Sequence, residues 1–415
     1  MKKIHVLVGL ALAGAFTAAQ AIPVDFGGYA RGGYGVNTQG GRQTCFSLKG
    51  TRNVQTHYRL GNECDYTLEL NLNATLAKNT DGSEWHVNFM LKNWRSWSQG
   101  TQYSLGTNAD GSARFTETNS SMGGQGPSVD FGQAYAYGQN LPMLAGGTIW
   151  AGRRYYNRFQ LGLNDHFNIG GGAKLNAGIL TSELNSQTGN NDMMNKYIVS
   201  VTDVPTFAGS KLQARLKINS QSKSDLVTSP TTSTETAKRE GGYQFAVIHE
   251  TPNVLNGTFT AGLRLDKTTH TSKSTMLFAQ QSGSFGKVAY DAVTEYMITK
   301  YDGTNIKDKW FSLGGRLDTQ ISGPLRGIAE LGYDTVKRTD AKTYNYTHLT
   351  LAAAFSSGPD AGSRPTVRLY YTYGKWNTAV RDDAAWGWTG SGSTAQVWGK
   401  KTSGSAVGAQ WEAWW

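Results

Sequence analysis

Apolar and polar residues alternate with period two along most of the chain, most cleanly at its end. From Val407 to Trp415, residues Val407, Ala409, Trp411, Ala413 and Trp415 share one face, and Gly408, Gln410, Glu412 and Trp414 share the other. That pattern predicts a strand with an apolar and a polar side, closed by an aromatic residue. Further alternating segments lie near 24–36, 65–76, 84–95, 146–158, 195–204, 209–219, 256–268, 285–299, 308–319, 325–337, 345–355, 365–376 and 405–415, with weaker candidates between them. Their spacing fits about 16–18 strands, each crossing a membrane with about 9–11 residues. Asp81-Gly82, Asp110-Gly111, Asn256-Gly257 and Asp302-Gly303 are turn signals, and longer polar stretches cover 98–128, 183–194, 220–240 and 377–404. Short turns alternating with long loops, without a heptad or an amphipathic helix, predict an all-β antiparallel barrel whose outer wall meets lipid.

Residues 1–21 have a basic start (Lys2, Lys3), an apolar run from Val6 to Ala18 and the small-x-small end Ala19-Gln20-Ala21. This is the layout of a cleavable secretory signal, so residues 22–415 are expected to form one transmembrane barrel. Beyond it no apolar run approaches the roughly 18 residues of a membrane helix. The negative mean hydropathy is expected of a wall in which only alternate residues meet lipid. The chain has 51 Gly, 20 Tyr and 12 Trp against 9 Pro, which suits tight turns, crowded walls and membrane interfaces. Without Lys2 and Lys3, 38 basic residues stand against 30 acidic ones, a net charge of +8. A secretory signal argues against nucleic acid, leaving lipopolysaccharide phosphates or anionic solutes as partners, or plain solvated loop charge. Two cysteines, Cys45 and Cys64, in an exported chain are expected to form a disulfide, and no metal motif or cofactor signature is present.

Strand parity selects the residues that could face water inside the barrel. In the first segment Asp25, Tyr29 and Arg31 share the polar face; in the second, Asp65, Thr67, Glu69 and Asn71 do; in the last, Trp414 does. Aromatic rings beside charged groups suit sugars, whose C–H faces stack on rings while Arg, Asp and Glu exchange hydrogen bonds with the hydroxyl rim. A ladder of weak sites lets a solute enter and leave. The blander alternative is that Tyr29 and Trp414 only fill the wall. An enzyme is disfavoured: the seven histidines, His57, His86, His166 and His249 among them, are scattered, and none pairs with a nucleophile at interpretable spacing. A general diffusion porin and a soluble β-sandwich binding module remain as competitors, the latter having no use for the aromatic terminal strand.

Six segments, in chain order, resemble the maltoporin family of sugar-specific outer-membrane porins. They are VDFGGYARGGYG (24–35), YRLGNEC (58–64), TIWAGRRYYNR (148–158), IAELGYDTVK (328–337), SRPTVRLYYTYGKW (363–376) and GAQWEAWW (408–415). The likeness is thin from about 165 to 305. It implies an 18-stranded barrel in a Gram-negative outer membrane, a homotrimer, a third loop folded inward as a constriction, and passive transport of malto-oligosaccharides or related sugars without a cofactor. It also implies a line of rings, the greasy slide, beside a polar track. Tyr29, Phe245 and Trp414 match slide residues. Arg31, Arg59 and Glu69 match the track, and Arg158, Asp165 and Phe167 match the constriction. Cys45 and Cys64 match a disulfide of the first loop.

The departures carry information too. Thr67 stands at a slide tyrosine, with Tyr66 one residue off and so on the lipid face. Phe167 replaces a tyrosine, Gly162 a histidine, Gly132 a track arginine and Gly362 a slide tryptophan. FNIGGGAK (167–174) replaces a longer aromatic stretch, and Trp94 or Trp97 is a candidate for a ring lent to a neighbouring subunit. Fewer rings imply a weaker grip on long maltodextrins, by about 0.5–1.5 kcal/mol per ring if stacking resembles aromatic pairing. The basic balance leaves an anionic sugar as an alternative solute.

Overall fold

The computed structural model describes residues 22–40, 43–49, 55–56, 58–96, 102–107, 113–118, 130–144, 146–155, 158–169, 174–177, 180–184, 193–221, 241–268, 272–339, 342–382 and 398–415. The expected signal peptide and Trp97 lie outside them. Eighteen strands form one antiparallel sheet. They are β1 (Val24–Asn37), β2 (Asp65–Lys78), β3 (Glu84–Ser96), β4 (Asp130–Leu141), β5 (Gly147–Arg154), β6 (Lys174–Ala177), β7 (Leu180–Leu184), β8 (Met193–Pro205) and β9 (Lys211–Gln221). There follow β10 (Gly242–Val254), β11 (Gly257–Thr268), β12 (Ser272–Phe285), β13 (Val288–Tyr301), β14 (Lys307–Ser322), β15 (Leu325–Arg338), β16 (Thr343–Ser356), β17 (Thr366–Trp376) and β18 (Ser403–Trp414). Each pairs with its chain neighbours, and β1 pairs with both β2 and β18, which closes the ring. Closure leaves no bare sheet edge, the condition for a sheet in lipid.

The alternation read from the sequence sets inside and outside. Leu331 and Leu351 are 55% and 51% exposed, whereas Glu330 and Thr350, each one residue away on the same strand, are wholly buried. Apolar side chains out and polar side chains in is the inverse of a water-soluble barrel and the arrangement of a membrane one. Tight turns join the strands at the end where β1 begins: Asn79–Ser83, Leu255–Asn256, Gly286–Lys287 and Gly323–Pro324. The long connections lie at the other end.

Two of those long connections fold into the lumen. The first, between β1 and β2, is closed by the Cys45–Cys64 disulfide, with Cα atoms 5.9 Å apart. It drives Tyr58 into the wall, where the hydroxyl lies 2.8 Å from Ser312 Oγ. The third, between β5 and β6, contains paired short strands Phe159–Gln160 and Phe167–Ile169. Its Asn164 and Asn168 side-chain amides donate to the Glu295 carboxylate of β13. Arg264 of β11 donates to the carbonyls of Phe167 and Asn168. Leu161, Leu163 and Ile169 then join a buried cluster with Ala246, Met276, Phe278, Val293 and Trp310. The apolar core, which also takes in Trp376 on β17 and Ala406 on β18, therefore lies on one side of the lumen, opposite the wall from β1 to β5.

Candidate functional site

Tyr29 on β1 stands opposite Trp414 on β18 and Glu69 on β2, so all three project inward at one level. The Tyr29 hydroxyl donates to Glu412 Oε1 at 2.9 Å. Arg364 and Arg368 each donate to Glu412 Oε2, at 2.9 and 2.7 Å. The Arg364 guanidinium also lies 3.8 Å over the Trp414 ring, backing it by a cation–π contact. Trp414 itself stays 45% exposed. Arg31 makes the two-pronged contact with Asp65, both bonds 2.7 Å, and a third bond of 2.5 Å to Glu63. Glu63 also accepts from Arg59 at 2.6 Å and from Gln410 at 2.8 Å. Glu69 meets Lys92 at 3.3 Å. Charge-assisted bonds of this kind fix long side chains in place, so the ring faces and charges are held ready rather than found on demand.

The constriction lies beside these residues. The backbone N–H of Arg59 donates to the Leu163 carbonyl at 3.1 Å, joining the first and third loops. Arg158 lies 3.2 Å over the Tyr155 ring and 5.4 Å from that of Phe167. Phe167 is 40% exposed. Asp165 accepts from Gln160 at 3.2 Å. A cavity of about 190 Å³ is lined by Arg59, Glu63, Gly162, Arg316, Arg364, Arg368, Glu412 and Trp414. Gly162, where a histidine was expected from the resemblance, opens part of that space.

Phe245 requires a correction. On β10 it lies across from Leu216 and Leu265, with Tyr243 and Val247 on the same side, and this side faces out. The inward residues are Gln244, bonded to Asp266 at 2.8 Å, and Ala246, which backs the third loop. A one-residue offset exchanges the two faces of a strand, and the thin likeness in this region fixes the register poorly. Phe245 is a lipid-side residue, not a rung. Thr67 does face the lumen, nearly buried, while Tyr66 lies outside with its hydroxyl on the Gly33 carbonyl.

The sequence profile of the LamB porin family matches residues 24–415, nearly the whole chain. The chain belongs to the LamB porin family. Its fold is also similar to solved outer-membrane channels at low identity. DcaP of Acinetobacter baumannii is 11% identical over 96% of this chain and 99% of that one, with a TM-score of 0.43. OprB of Pseudomonas putida is 12% identical over 95% and 92%, with a TM-score of 0.41. OmpT of Vibrio cholerae in its trimer form is 8% identical over 95% and 100%, with a TM-score of 0.42. Membership of the LamB porin family makes the molecule an outer-membrane porin.

Several lumen residues of this porin escape a reading by motif. Glu412, Arg364 and Arg368 tie the terminal strand to β17 and the turn before it, and of the three, alternation had placed Glu412 on the polar face. Their convergence on one carboxylate needs two strands and a turn brought together. Trp94 lies directly across from Thr67 and shares its inward face, and its indole N–H donates to Asp65 at 2.9 Å. Tyr135 and Tyr137 on β4 face inward as well, the Tyr137 hydroxyl bonding Asn73 at 3.1 Å.

Proposed function

We propose that this porin is selective for carbohydrate and passes maltose, maltodextrins or related oligosaccharides by passive diffusion. The observation that carries the reading is the Tyr29–Trp414 pair, two inward rings facing across β1 and β18 and flanked by the Arg31, Glu63, Glu412 and Arg364 network. Rings meet the C–H faces of a pyranose and the fixed charges meet its hydroxyls. No step makes or breaks a covalent bond, and no cofactor is required. Arg59, Glu69, Arg158, Asp165 and Phe167 serve as polar and constriction contacts. By family resemblance we also propose a homotrimer set in outer-membrane lipid and lipopolysaccharide, made from residues 22–415 after loss of a signal peptide over 1–21.

The test is single-channel current in a planar bilayer while maltose, maltotriose and maltohexaose are titrated. Block that tightens with chain length supports the reading; current indifferent to all three removes it. One observation favours a second reading, a preference for anionic sugars: four arginines against two glutamates line the constriction cavity. Under that reading a glucuronate oligomer blocks more tightly than a neutral sugar of equal length, and the advantage shrinks at high salt.

A further inference from the structure

We propose that this porin carries a second line of saccharide rungs, Trp94, Tyr155, Tyr135 and Tyr137, on the wall formed by β3, β4 and the segment after β5. These rungs take the pyranose faces of neutral oligosaccharides and make up for rings missing from the family's own path at Thr67 and Gly362. The inference rests on the saccharide reading above.

The inward positions of β3 run Glu84, His86, Asn88, Met90, Lys92 and Trp94, each step two residues and so about 7 Å. Four of these six levels hold a ring. Trp94 occupies the last. The Tyr155 ring lies 5.9 Å from Lys92 Nζ. Tyr135 pairs with Asn88, and Tyr137 with His86. Met90, opposite Gln133, marks the one gap between rings.

Each ring is held from behind. His86 stacks on Tyr137 with centroids 4.5 Å apart. Arg154 lies 4.9 Å over Tyr135, with buried Trp150 beneath it. Arg158 covers Tyr155. Trp94 is anchored by its bond to Asp65, which Arg31 grips with two bonds. None of the four rungs belongs to the buried cluster around the third loop, and Trp94 is 48% exposed. Wall filling does not account for rings that stand in the passage with one side supported. Gly132 is part of the arrangement: a Cβ there would meet Met90 Sδ at 3.1 Å, Lys92 Cβ at 3.2 Å and the Tyr155 hydroxyl at 3.4 Å, so a side chain as long as the arginine that the family likeness puts near this position would crowd the ring.

The experiment measures maltohexaose block of the full chain in bilayers for the wild type, W94L, the double variant Y135L/Y137L and its ring-keeping counterpart Y135F/Y137F. Each lost ring is expected to weaken block about two- to twelvefold, by analogy with aromatic stacking. Y135F/Y137F is expected to stay close to wild type, and maltose block to change less than maltohexaose block. If no neutral sugar blocks the wild type, the saccharide reading fails and takes this one with it. If the wild type is blocked and the leucine variants are blocked equally, this proposal alone fails. Should the leucine variants not assemble, maltohexaose-dependent tryptophan fluorescence is compared between wild type and W94F. Loss of part of the sugar-dependent change supports the proposal, and an unchanged signal overturns it.

Discussion

A Cβ added at Gly332 would stand 2.1 Å from the Tyr58 ring, and one at Gly314 equally close. The first loop reaches the far wall only because two neighbouring strands both lack side chains there. Gly332→Leu is therefore expected to expel Tyr58, break its bond to Ser312 and cost about 1–3 kcal/mol. The drop should show as a lower temperature for loss of the folded band on a semi-native gel. Phe245→Ala, on the lipid side, is expected to leave sugar block within about twofold, well under the cost of a stacked ring. His166, in the third loop, is held down to about 4 from its ordinary 6.5 by burial and by the charge of Arg264. Unfolded chain takes up this proton near pH 6.5 and folded chain only near 4, so the loop's seating is most stable above 6.5 and weakens as pH falls towards 4. Current noise should rise through that window in the wild type and stay flat in His166→Gln.

Among elements, one carboxylate takes both asparagine amides that seat the third loop. Asn164 and Asn168 both donate to Glu295, buried on β13. Glu295→Ala leaves two buried amides without an acceptor, at about 1–3 kcal/mol each. The loop is expected to leave its seat, so conductance without sugar rises and sugar block weakens. The inward fold of this loop was expected from the family likeness, but its anchor was not. Nothing in the alternation of β13 marks Glu295 as different from any other inward polar residue, because its role comes from two asparagines more than a hundred positions earlier. The strands themselves were far more legible. Period-two alternation located most of them, and parity placed Tyr29, Arg31, Thr67, Glu69 and Trp414 inside without any partner being known. Phe245 shows the limit: where the family likeness is thin, a slip of one residue moves a ring from water to lipid.

For the whole molecule, the disulfide closes a loop of Cys45 to Cys64, 19 residues apart, whose Arg59 and Glu63 line the constriction cavity. Replacing both cysteines by serine is expected to cost about 3 kcal/mol in the chain-entropy model. The loss is read as a lower denaturant midpoint, with noisier current as Arg59 and Glu63 loosen. The lumen is asymmetric: buried apolar packing of two loops, reaching from β10 to Trp376 on β17 and Ala406 on β18, on one side, charged and aromatic residues on the other. Under the proposed function, solute follows the charged and aromatic side, where Tyr29, Trp414 and Trp94 stand.

By itself the sequence determined the class of wall, the faces of its best-defined strands and the presence of rings beside charges, because a period-two pattern encodes which side of a strand meets lipid and which meets water. The family likeness also implied that a ring, a histidine or an arginine is missing at or near Thr67, Gly132, Gly162 and Gly362. Only the tertiary structure decided which inward residues meet. Glu412 gathers Tyr29 and Arg368 from two strands and Arg364 from the turn before β17, Asp65 joins Arg31 to Trp94, and Tyr155 occupies the space above Gly132. Those contacts follow from ring closure and strand register, which bring together residues tens to hundreds of positions apart and which no local pattern specifies.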